Sequence, residues 1–332
     1  MSIKESKGVV INEEKALSVG TLPLRELGEN DVLVKVHSAP INPSDIMFSR
    51  GLYPAGKQHP TFVGFEGSGL VIETGTSELA ASRKGVRVAF FASGKTDLGT
   101  WGEYVVVSAT SVFPIPGDLT YEEASSSLVN PLSVQAMIFR SKAENHTAIV
   151  HSAAASALGK MLVAACKQNN ITLINIVRRV EQVKILKDLG AEIVLNSSTE
   201  NFETELKETF AKHQPSAFFD AVGGALGSLV FKHLPDESRT YNYGALAGDA
   251  YTTSPVDLLF KGKVLAGFWL NKELKNPANA LEIVTKTFEN LATRTFTTVI
   301  AKKFPYEQYQ EALAYYTKNM TEGKVLIQNP NF

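Results

Sequence analysis

Near the middle of this chain, a run of small side chains lies between two apolar segments. The first apolar segment is residues 148–150, and residues 152–157 after it are all serine or alanine. Gly159 follows, apolar side chains recur at helical spacing in residues 160–166, and a second apolar segment covers residues 172–177. This order predicts a strand, a tight turn, a helix and a second strand.

The predicted turn is poor in side chains, so a pyrophosphate can approach its backbone. The free N–H groups and the dipole of a helix N-terminus favour an anion, and we expect Ala155, Ser156, Ala157 and Leu158 to bind a dinucleotide cofactor. Only Gly159 matches a glycine of the G-x-G-x-x-G fingerprint. The alternative is a small-residue turn that serves only the packing of an α/β core.

Two arginines at the end of the second apolar segment distinguish between the nicotinamide cofactors. An NAD site usually has an acidic residue about 20 positions after the glycine turn, where it binds the adenosine ribose. Here the strand ends in Arg178 and Arg179, and Arg178 is 19 positions after Gly159. A guanidinium pairs well with a 2′-phosphate, so the sequence predicts NADPH rather than NADH. The alternative is a pair of solvated arginines at the start of a helix.

Length and composition limit the classes of protein to which the chain can belong. Its 332 residues suit two domains. A net charge of −1, with 44% hydrophobic and 20% charged residues, gives no electrostatic argument for binding nucleic acid or an anionic membrane. No apolar run approaches the length of a membrane span. The segment that starts at Met1 lacks the apolar core of a signal peptide, so we expect a cytoplasmic protein.

The chain contains one cysteine, Cys166, which excludes internal disulfides and any multi-cysteine zinc site. Its position in the helical pattern after Gly159 predicts a buried, small hydrophobic side chain rather than a catalytic thiol. The six histidines show no metal-ligand spacing. We expect His151, which follows the first apolar segment, to be a satisfied core histidine.

The elements that must position these residues differ between the two halves of the chain. Residues 9–116 are typical of strands and glycine-containing turns, and after residue 116 we expect a helix within residues 118–130 that Pro131 interrupts. The expected strands of this β-rich first part are residues 32–36, 70–73, 85–91 and 102–107.

From residue 148 onwards, strands and helices alternate, which predicts a doubly wound parallel sheet with helices on both faces. The C-terminal tail then predicts strand, helix, strand and would return to the first domain. We therefore expect residues 1–120 and 297–332 to form one domain and residues 121–296 to form the other. The further strands are expected at residues 192–195, 217–220, 239–243, 264–269, 299–304 and 323–327, and the further helices at 180–189, 202–211, 225–233, 278–291 and 306–318.

Three motifs in the first part resemble the zinc-free branch of the medium-chain dehydrogenase/reductase superfamily. They are Ile-Asn-Pro-Ser-Asp-Ile at residues 41–46, Gly-Leu-Tyr-Pro at 51–54 and Gly-Phe-Glu-Gly at 64–67. The resemblance implies a Rossmann-type sheet inserted after a GroES-like domain. It also implies that Asn42 and Phe65 stand at positions where zinc-dependent members have metal ligands, so no metal is expected.

Other segments resemble the 2-enoyl thioester reductases of that branch. Asn-Pro-Leu-Ser at residues 130–133, the loop of residues 151–159 and Asn-Ile-Val-Arg at 175–178 match in order and length. The pairs Tyr243-Gly244 and Phe268-Trp269 follow in the same order. Ser-Val-Gln at residues 133–135 and the alanine-rich loop depart from the family pattern, which affects the details of cofactor contact.

The resemblance assigns Tyr53 as the catalytic residue. Asn42, Phe268 and Trp269 are implied to contact substrate, and cofactor contacts are further implied for Asn130, Ser133, Tyr243, Phe268, Trp269 and Lys324. Each has a structural alternative. Asn42 can serve a local turn, Asn130 and Ser133 can cap a helix, the aromatic pair can belong to the core, and Lys324 can be solvated.

A phenol suits the reduction of a conjugated C=C bond. The reaction needs a hydride at the β carbon, stabilisation of negative charge on the carbonyl oxygen and a proton at the α carbon. With an ordinary pKa of about 10, a tyrosine stays protonated at neutral pH and can donate to the enolate. Tyr53 is therefore the predicted donor for an enoyl thioester or a related enone.

Two rival functions stay open. An NADPH:quinone oxidoreductase of the same fold needs no proton-donating tyrosine, and a non-catalytic NADPH-binding protein needs no acceptor at all. A homodimer is implied by the resemblance, with edge pairing through the strands expected at residues 239–243 or 264–269.

Overall fold

The computed structural model describes residues 3–332. Met1 and Ser2 lie outside the described residues, and they begin the N-terminal segment from which a cytoplasmic protein is expected. The chain divides into two compact units. Unit 1 comprises Met1–Val129 and Thr297–Phe332, and unit 2 comprises Asn130–Phe296. None of the helices among residues 3–332 is long and apolar enough to cross a membrane.

The described residues form sixteen strands and twelve α-helices. In chain order the strands are β1 (Glu5–Ile11), β2 (Leu17–Pro23), β3 (Asp31–Pro40), β4 (Thr61–Phe62), β5 (Glu66–Thr74), β6 (Arg87–Phe91), β7 (Tyr104–Ser108), β8 (Val112–Pro114), β9 (Ala148–His151), β10 (Thr172–Val177), β11 (Ile193–Asn196), β12 (Ala217–Asp220), β13 (Arg239–Asn242), β14 (Val264–Gly267), β15 (Ile300–Pro305) and β16 (Lys324–Gln328). The helices are α1 (Pro43–Ser49), α2 (Glu78–Ala81), α3 (Tyr121–Ala124), α4 (Val129–Ala143), α5 (Ala157–Gln168), α6 (Val180–Asp188), α7 (Phe202–His213), α8 (Gly224–His233), α9 (Pro255–Leu259), α10 (Leu270–Glu273), α11 (Pro277–Ala292) and α12 (Tyr309–Asn319).

Unit 1 is built on a seven-stranded sheet of order β15-β16-β3-β5-β6-β8, with β7 paired to β3. Val32, Val34 and Val36 of β3 are buried in its core, since β-branched side chains pack well on a pleated surface. The C-terminal tail returns to this sheet as predicted, because β16 pairs with β3 through Leu326 opposite Pro40. A smaller sheet has the order β2-β1-β4.

Unit 2 contains a six-stranded parallel sheet of order β11-β10-β9-β12-β13-β14. The strands are therefore arranged 3-2-1-4-5-6 in chain order, and the direction of winding reverses between β9 and β12. Open sheets of this kind bind ligands beyond the carboxyl ends of the strands at the reversal. The doubly wound sheet predicted from the alternation of strands and helices is confirmed.

Two local expectations are wrong. Pro131 does not interrupt a helix, because it lies in the first turn of α4, where its missing N–H removes no intrahelical bond. The residues before it form the short α3, whose Tyr121 carbonyl accepts a hydrogen bond from Ser68 within unit 1, at 2.6 Å. The strand β13 is internal, paired with β12 and β14, and so offers no edge. The expected tail helix is confirmed, and its first turn, Tyr306–Gln308, is a 3₁₀ turn that leads directly into α12.

Candidate active site

Tyr53 lies in the segment that follows α1 and is partly buried. Its ring centroid is 5.1 Å from that of Phe65, and Phe65 packs edge-on against Phe48 at 5.3 Å. Phe65 thus supports the tyrosine where the resemblance expects a metal ligand in zinc-dependent proteins. These aromatic contacts restrict the orientation of the Tyr53 ring.

Next to Phe65 in sequence, Glu66 belongs to a group of four polar side chains that we call the buried cluster. Its members, at most 5% exposed, are Asn42, Asp45, Glu66 and Lys324. Asn42 Nδ2 donates to Glu66 Oε1 at 2.8 Å, and the Lys324 ammonium donates to Asn42 Oδ1. The backbone N–H of Asn42 donates to Asp45 Oδ2 at 2.7 Å. Asn42 is therefore held at its backbone and at both ends of its amide.

The other carboxylate oxygen of Glu66 accepts two backbone hydrogen bonds. The donors are the N–H groups of Val129, at 2.9 Å, and of Leu128, at 3.2 Å. Glu66 thereby ties β5 to the residues that lead into α4. With its oxygens engaged in these contacts, Glu66 anchors local structure.

Burial shifts the ionisation of the cluster. It raises the pKa of Asp45 to about 7 and raises the pKa of Glu66, although the Lys324 ammonium opposes the latter shift. Burial also lowers the pKa of Lys324, against the attraction of Glu66. Removing charges from water is costly unless they are paired, so Lys324 and Glu66 depend on one another. The alternative of a solvated Lys324 is wrong, because its side chain is buried.

In unit 2, the small-residue turn has the geometry of a dinucleotide loop. Ser156 is the N-cap of α5, and its Oγ accepts the N–H of Gly159 at 3.1 Å. An ideal Cβ on Gly159 would lie 2.1 Å from the carbonyl oxygen of Ala154, so only glycine fits. The N–H groups of Ala157 and Leu158 belong to the first helical turn and lack intrahelical acceptors. The turn therefore fits a pyrophosphate.

Arg178 and Arg179 directly follow β10, and both are exposed. Their backbone N–H groups donate to Oε1 of Gln182, at 3.0 and 3.1 Å. Gln182 thus fixes the backbone from which the guanidinium groups extend. The role of Gln182 was not predicted from the sequence, although a glutamine near the start of a helix is a known cap.

A buried carboxylate organises the carboxyl ends of β9 and β12. Asp220 accepts hydrogen bonds from the hydroxyls of Ser152 and Tyr251 and from the N–H groups of Val222, at 2.8 Å, and Gly223, at 2.9 Å. Ser152 Oγ also accepts the N–H of Ala221 at 2.9 Å. This network was not predicted from the sequence. An acidic residue at a strand end before two glycines was the available signal.

His151 and Tyr243 form a pair at the same edge of the sheet. Nε2 of His151 lies 2.7 Å from the Tyr243 hydroxyl oxygen. Burial lowers the pKa of His151 to about 3 and raises the pKa of Tyr243, so both are neutral at pH 7. His151 is fully buried, as expected, but it is not a satisfied core histidine, because its Nδ1 has no hydrogen-bond partner among the described residues. Its contact orients the hydroxyl of Tyr243, one of the residues implied to bind cofactor.

The remaining candidates have mixed surroundings. Asn130 and Ser133 lie in the first two turns of α4, and Ser133 is 8% exposed. Phe268 is 4% exposed and packs against Phe219 at 5.6 Å, which favours the core alternative for its ring. Trp269 is partly buried just beyond β14. Tyr53, Asn42 and Lys324 thus share unit 1, and the other candidates belong to unit 2.

Cys166 is 1% exposed, and burial raises the pKa of its thiol, as predicted for a hydrophobic core position. Among residues 3–332, no group of three or more His, Cys, Asp or Glu side chains is arranged to hold a metal ion.

Two family models match this chain. The alcohol dehydrogenase GroES-like domain matches residues 28–117, and the zinc-binding dehydrogenase domain matches residues 157–286. A mitochondrial enoyl-[acyl-carrier-protein] reductase of Arabidopsis thaliana is 31% identical over 278 residues, which cover 81% of this chain and 73% of that protein.

Solved structures of other proteins are similar to this chain over nearly its whole length. A protein of Mesorhizobium loti, provisionally named an NADPH:quinone reductase, is 32% identical with a TM-score of 0.89, covering 99% of this chain and 100% of that one. A mutant enoyl thioester reductase from Candida tropicalis has a TM-score of 0.78 and covers 98% of this chain and 100% of that one. At 22% identity, this second similarity is one of fold.

Proposed function

This chain belongs to the medium-chain dehydrogenase/reductase superfamily, in its enoyl thioester reductase-like group, and from that premise we propose the reaction that it catalyses. It reduces the C=C bond of α,β-unsaturated thioesters, or of related enones, with NADPH. The observation that carries this choice is the setting of Tyr53, whose ring lies 5.1 Å from Phe65 beside the buried cluster.

NADPH, when bound, supplies the hydride that adds to the β carbon. The Tyr53 hydroxyl donates a hydrogen bond to the carbonyl oxygen as negative charge develops there, and it is the proposed source of the proton for the α carbon. The contacts of Tyr53 with Phe65 limit the motion of the ring, which reduces the entropy cost of orienting the hydroxyl. Asn42, fixed by Glu66 and Lys324, helps to shape the same region of unit 1.

The proposed cofactor contacts use the features of unit 2. Its loop residues Ala155, Ser156, Ala157 and Leu158 take the pyrophosphate, since an anion is favoured at the start of α5. Arg178 and Arg179 take the 2′-phosphate, which favours NADPH over NADH. Asn130, Ser133, Tyr243 and Trp269 complete the proposed set in unit 2, and Phe268 supports Trp269 from the core. The cofactor contact expected of Lys324 is not part of this proposal, because its buried ammonium donates to Asn42 in unit 1.

A substrate panel tests the proposal. NADPH oxidation is followed with crotonyl-CoA and, in parallel, with a simple quinone, for the wild type, Tyr53→Phe and the control Tyr315→Phe. Tyr315 lies on α12 and donates to Glu322 at 2.7 Å. We expect the wild type and the control to reduce crotonyl-CoA and Tyr53→Phe to lose about a hundredfold or more in kcat, the range of general acid catalysis. Thioester reduction that is indifferent to Tyr53→Phe would contradict the role of Tyr53.

NADPH:quinone reduction is the second candidate, and the similarity to the Mesorhizobium loti protein favours it. Quinone reduction needs no tyrosine donor. Activity with the quinone alone, equal in the wild type and Tyr53→Phe, would favour this candidate over thioester reduction.

The reaction is proposed to be independent of zinc. The Asn42 amide is hydrogen-bonded to Glu66 and the Lys324 ammonium, and Phe65 has no ligand atom. Activity should therefore survive prolonged dialysis against a chelator, and a loss restored by zinc would contradict the proposal.

A homodimer is proposed through β14, which is an edge of the six-stranded sheet. Leu265 of β14 and the nearby Phe260 are exposed by 36% and 82%. Unpaired strand edges favour pairing with a second chain. Light scattering should give a dimer for the wild type and for Leu281→Asp, which alters an exposed leucine of α11, but a monomer for Leu265→Asp.

The cytoplasm is the proposed compartment, although the Arabidopsis relative is named as mitochondrial. Fractionation of the native cells with an antibody against the chain decides between these compartments.

A further inference from the structure

Lys15 contacts the segment that carries Tyr53, although the two residues are distant in sequence. Its ammonium donates to Nε2 of His59 at 2.6 Å. An ideal Cβ on Gly51 would lie 3.6 Å from Cε of Lys15. The Lys15 side chain therefore lies close to both ends of the segment from Gly51 to His59, and Tyr53 lies within this segment.

The backbone of Lys15 is strained, and no local feature accounts for a lysine there. Its φ is +65°, a left-handed conformation that glycine or asparagine adopts more easily. The turn is fixed without its side chain, since the Lys15 N–H donates to the Asn12 carbonyl at 3.1 Å and Asn12 Oδ1 accepts the N–H of Ala16 at 2.8 Å. Strained residues of this kind often belong to functional sites.

Arg50 brings a second cation to the same segment. It ends α1, is exposed and precedes Tyr53 by three positions. Among residues 3–332, neither Lys15 nor Arg50 forms an ion pair with a carboxylate. The exposed Glu13 and Glu14 belong to the same turn as Lys15 without pairing to it.

Aromatic rings connect these cations to the tyrosine. The ring of His59 stacks on Phe48 at 5.6 Å, and Phe48 contacts Phe65, against which Tyr53 packs. The Lys15 ammonium is thus attached to one end of a packed aromatic row, and Tyr53 lies at the other end. A substrate that reaches Tyr53 and carries an anionic group can meet both.

We propose that Lys15 and Arg50 bind a phosphate of the carrier to which the unsaturated acyl group is attached. This rests on the proposed function and deepens it. Ammonium and guanidinium groups are the usual partners of phosphate. Coenzyme A and the phosphopantetheine of a carrier protein both contain one, whereas a quinone or a free enone does not. The site therefore selects carrier-bound thioesters as the substrate class.

Three crotonyl thioesters test the proposal: those of coenzyme A, of 4′-phosphopantetheine and of N-acetylcysteamine, which has no phosphate. The variants are Lys15→Met and Arg50→Gln, and the control is Lys84→Met at an exposed lysine of the same unit. For the phosphorylated thioesters we expect KM to rise about threefold to fivefold per variant, which is the range of an exposed ion pair. KM for the N-acetylcysteamine thioester and for NADPH, and kcat throughout, should not change.

The two phosphorylated substrates separate the possible sources of the anion. An equal rise of KM for both assigns the pantetheine phosphate, and a rise with the coenzyme A thioester alone assigns the phosphates of its nucleotide end. Glu13→Gln should lower KM for the same substrates, because it removes a competing negative charge. This opposite effect cannot be produced by misfolding.

Other results would overturn the proposal. A rise of KM that is equal for the N-acetylcysteamine thioester would assign a structural role to the cations, and a rise for NADPH would assign the cofactor. Unchanged KM in both variants would exclude phosphate binding here. If the wild type reduces the N-acetylcysteamine thioester, the proposed function stands whatever the variants do. If it reduces none of the three, both proposals fail.

Discussion

The two candidate regions of this protein are assembled in opposite ways. In unit 2, the cofactor loop is one continuous segment, from Ser152 to Gly159, and its shape depends on backbone contacts within a few residues. In unit 1, the buried cluster joins Asn42 and Asp45 to Glu66 and to Lys324, which lies 282 positions after Asn42. One region depends on local sterics and the other on charges brought together by the fold.

This difference predicts where substitutions act. A change in the cluster should alter the stability of unit 1 in a manner that depends on pH. A change in the loop should alter cofactor affinity with little effect on stability.

Lys324→Met should destabilise the protein by about 3–5 kcal/mol, because it leaves Glu66 buried without its cation. Burial raises the pKa of Glu66 above its value in the unfolded chain. The free energy of unfolding therefore falls as pH rises through the interval between these two pKa values. The loss should therefore be larger at pH 8 than at pH 5. Urea denaturation at both values measures it, with Lys318→Met as the exposed control. An equal loss at the two pH values would mean that packing, rather than charge, couples the cluster.

A second substitution sharpens this result. Adding Glu66→Gln to Lys324→Met removes the uncompensated carboxylate, so the double variant should recover part of the stability at pH 8. Additive losses would contradict the pairing of these two residues.

Gly159→Ala should weaken NADPH binding about tenfold to a hundredfold. The new Cβ would meet the Ala154 oxygen at 2.1 Å, and the backbone shift that relieves this contact turns the N–H groups of the turn away from the pyrophosphate. Losing a hydrogen bond to a charged group costs about 1.5–3 kcal/mol of binding free energy. Fluorescence titration with NADPH measures the affinity. The control is Gly267→Ala, since a Cβ there has no atom within 4 Å. Normal binding by Gly159→Ala would break the proposed link between this turn and the pyrophosphate.

The sequence was sufficient to predict those features that depend on residues close together in the chain. The alternation of strands and helices predicted the parallel sheet, and small residues before Gly159 predicted the loop, because backbone proximity alone requires them. The burial of Lys324 could not be predicted, since its partners are contributed by the N-cap residue of α1 and by β5. Pairing of β13 between two other strands was likewise set by the order of the whole sheet and not by its own residues.

Arg178→Ala should raise KM for NADPH about tenfold and leave KM for NADH nearly unchanged, since a charge-assisted bond to phosphate contributes about 1.5 kcal/mol. Steady-state kinetics with both cofactors measures the ratio. Lys184→Ala is the control, because Lys184 lies on α6 and pairs with Asp188 at 2.7 Å. A parallel rise for NADH would show that Arg178 does not read the 2′-phosphate.

We propose that this protein adds a hydride to one carbon of a conjugated thioester and a proton to the next. Isotope labelling tests it most directly. Crotonyl-CoA is reduced with NADPH deuterated at the transferred position in ordinary water, and with ordinary NADPH in heavy water, and the butyryl product is examined by NMR. We expect deuterium at the β carbon in the first reaction and at the α carbon in the second. Absence of a butyryl product, or deuterium from the cofactor at the α carbon, would contradict it.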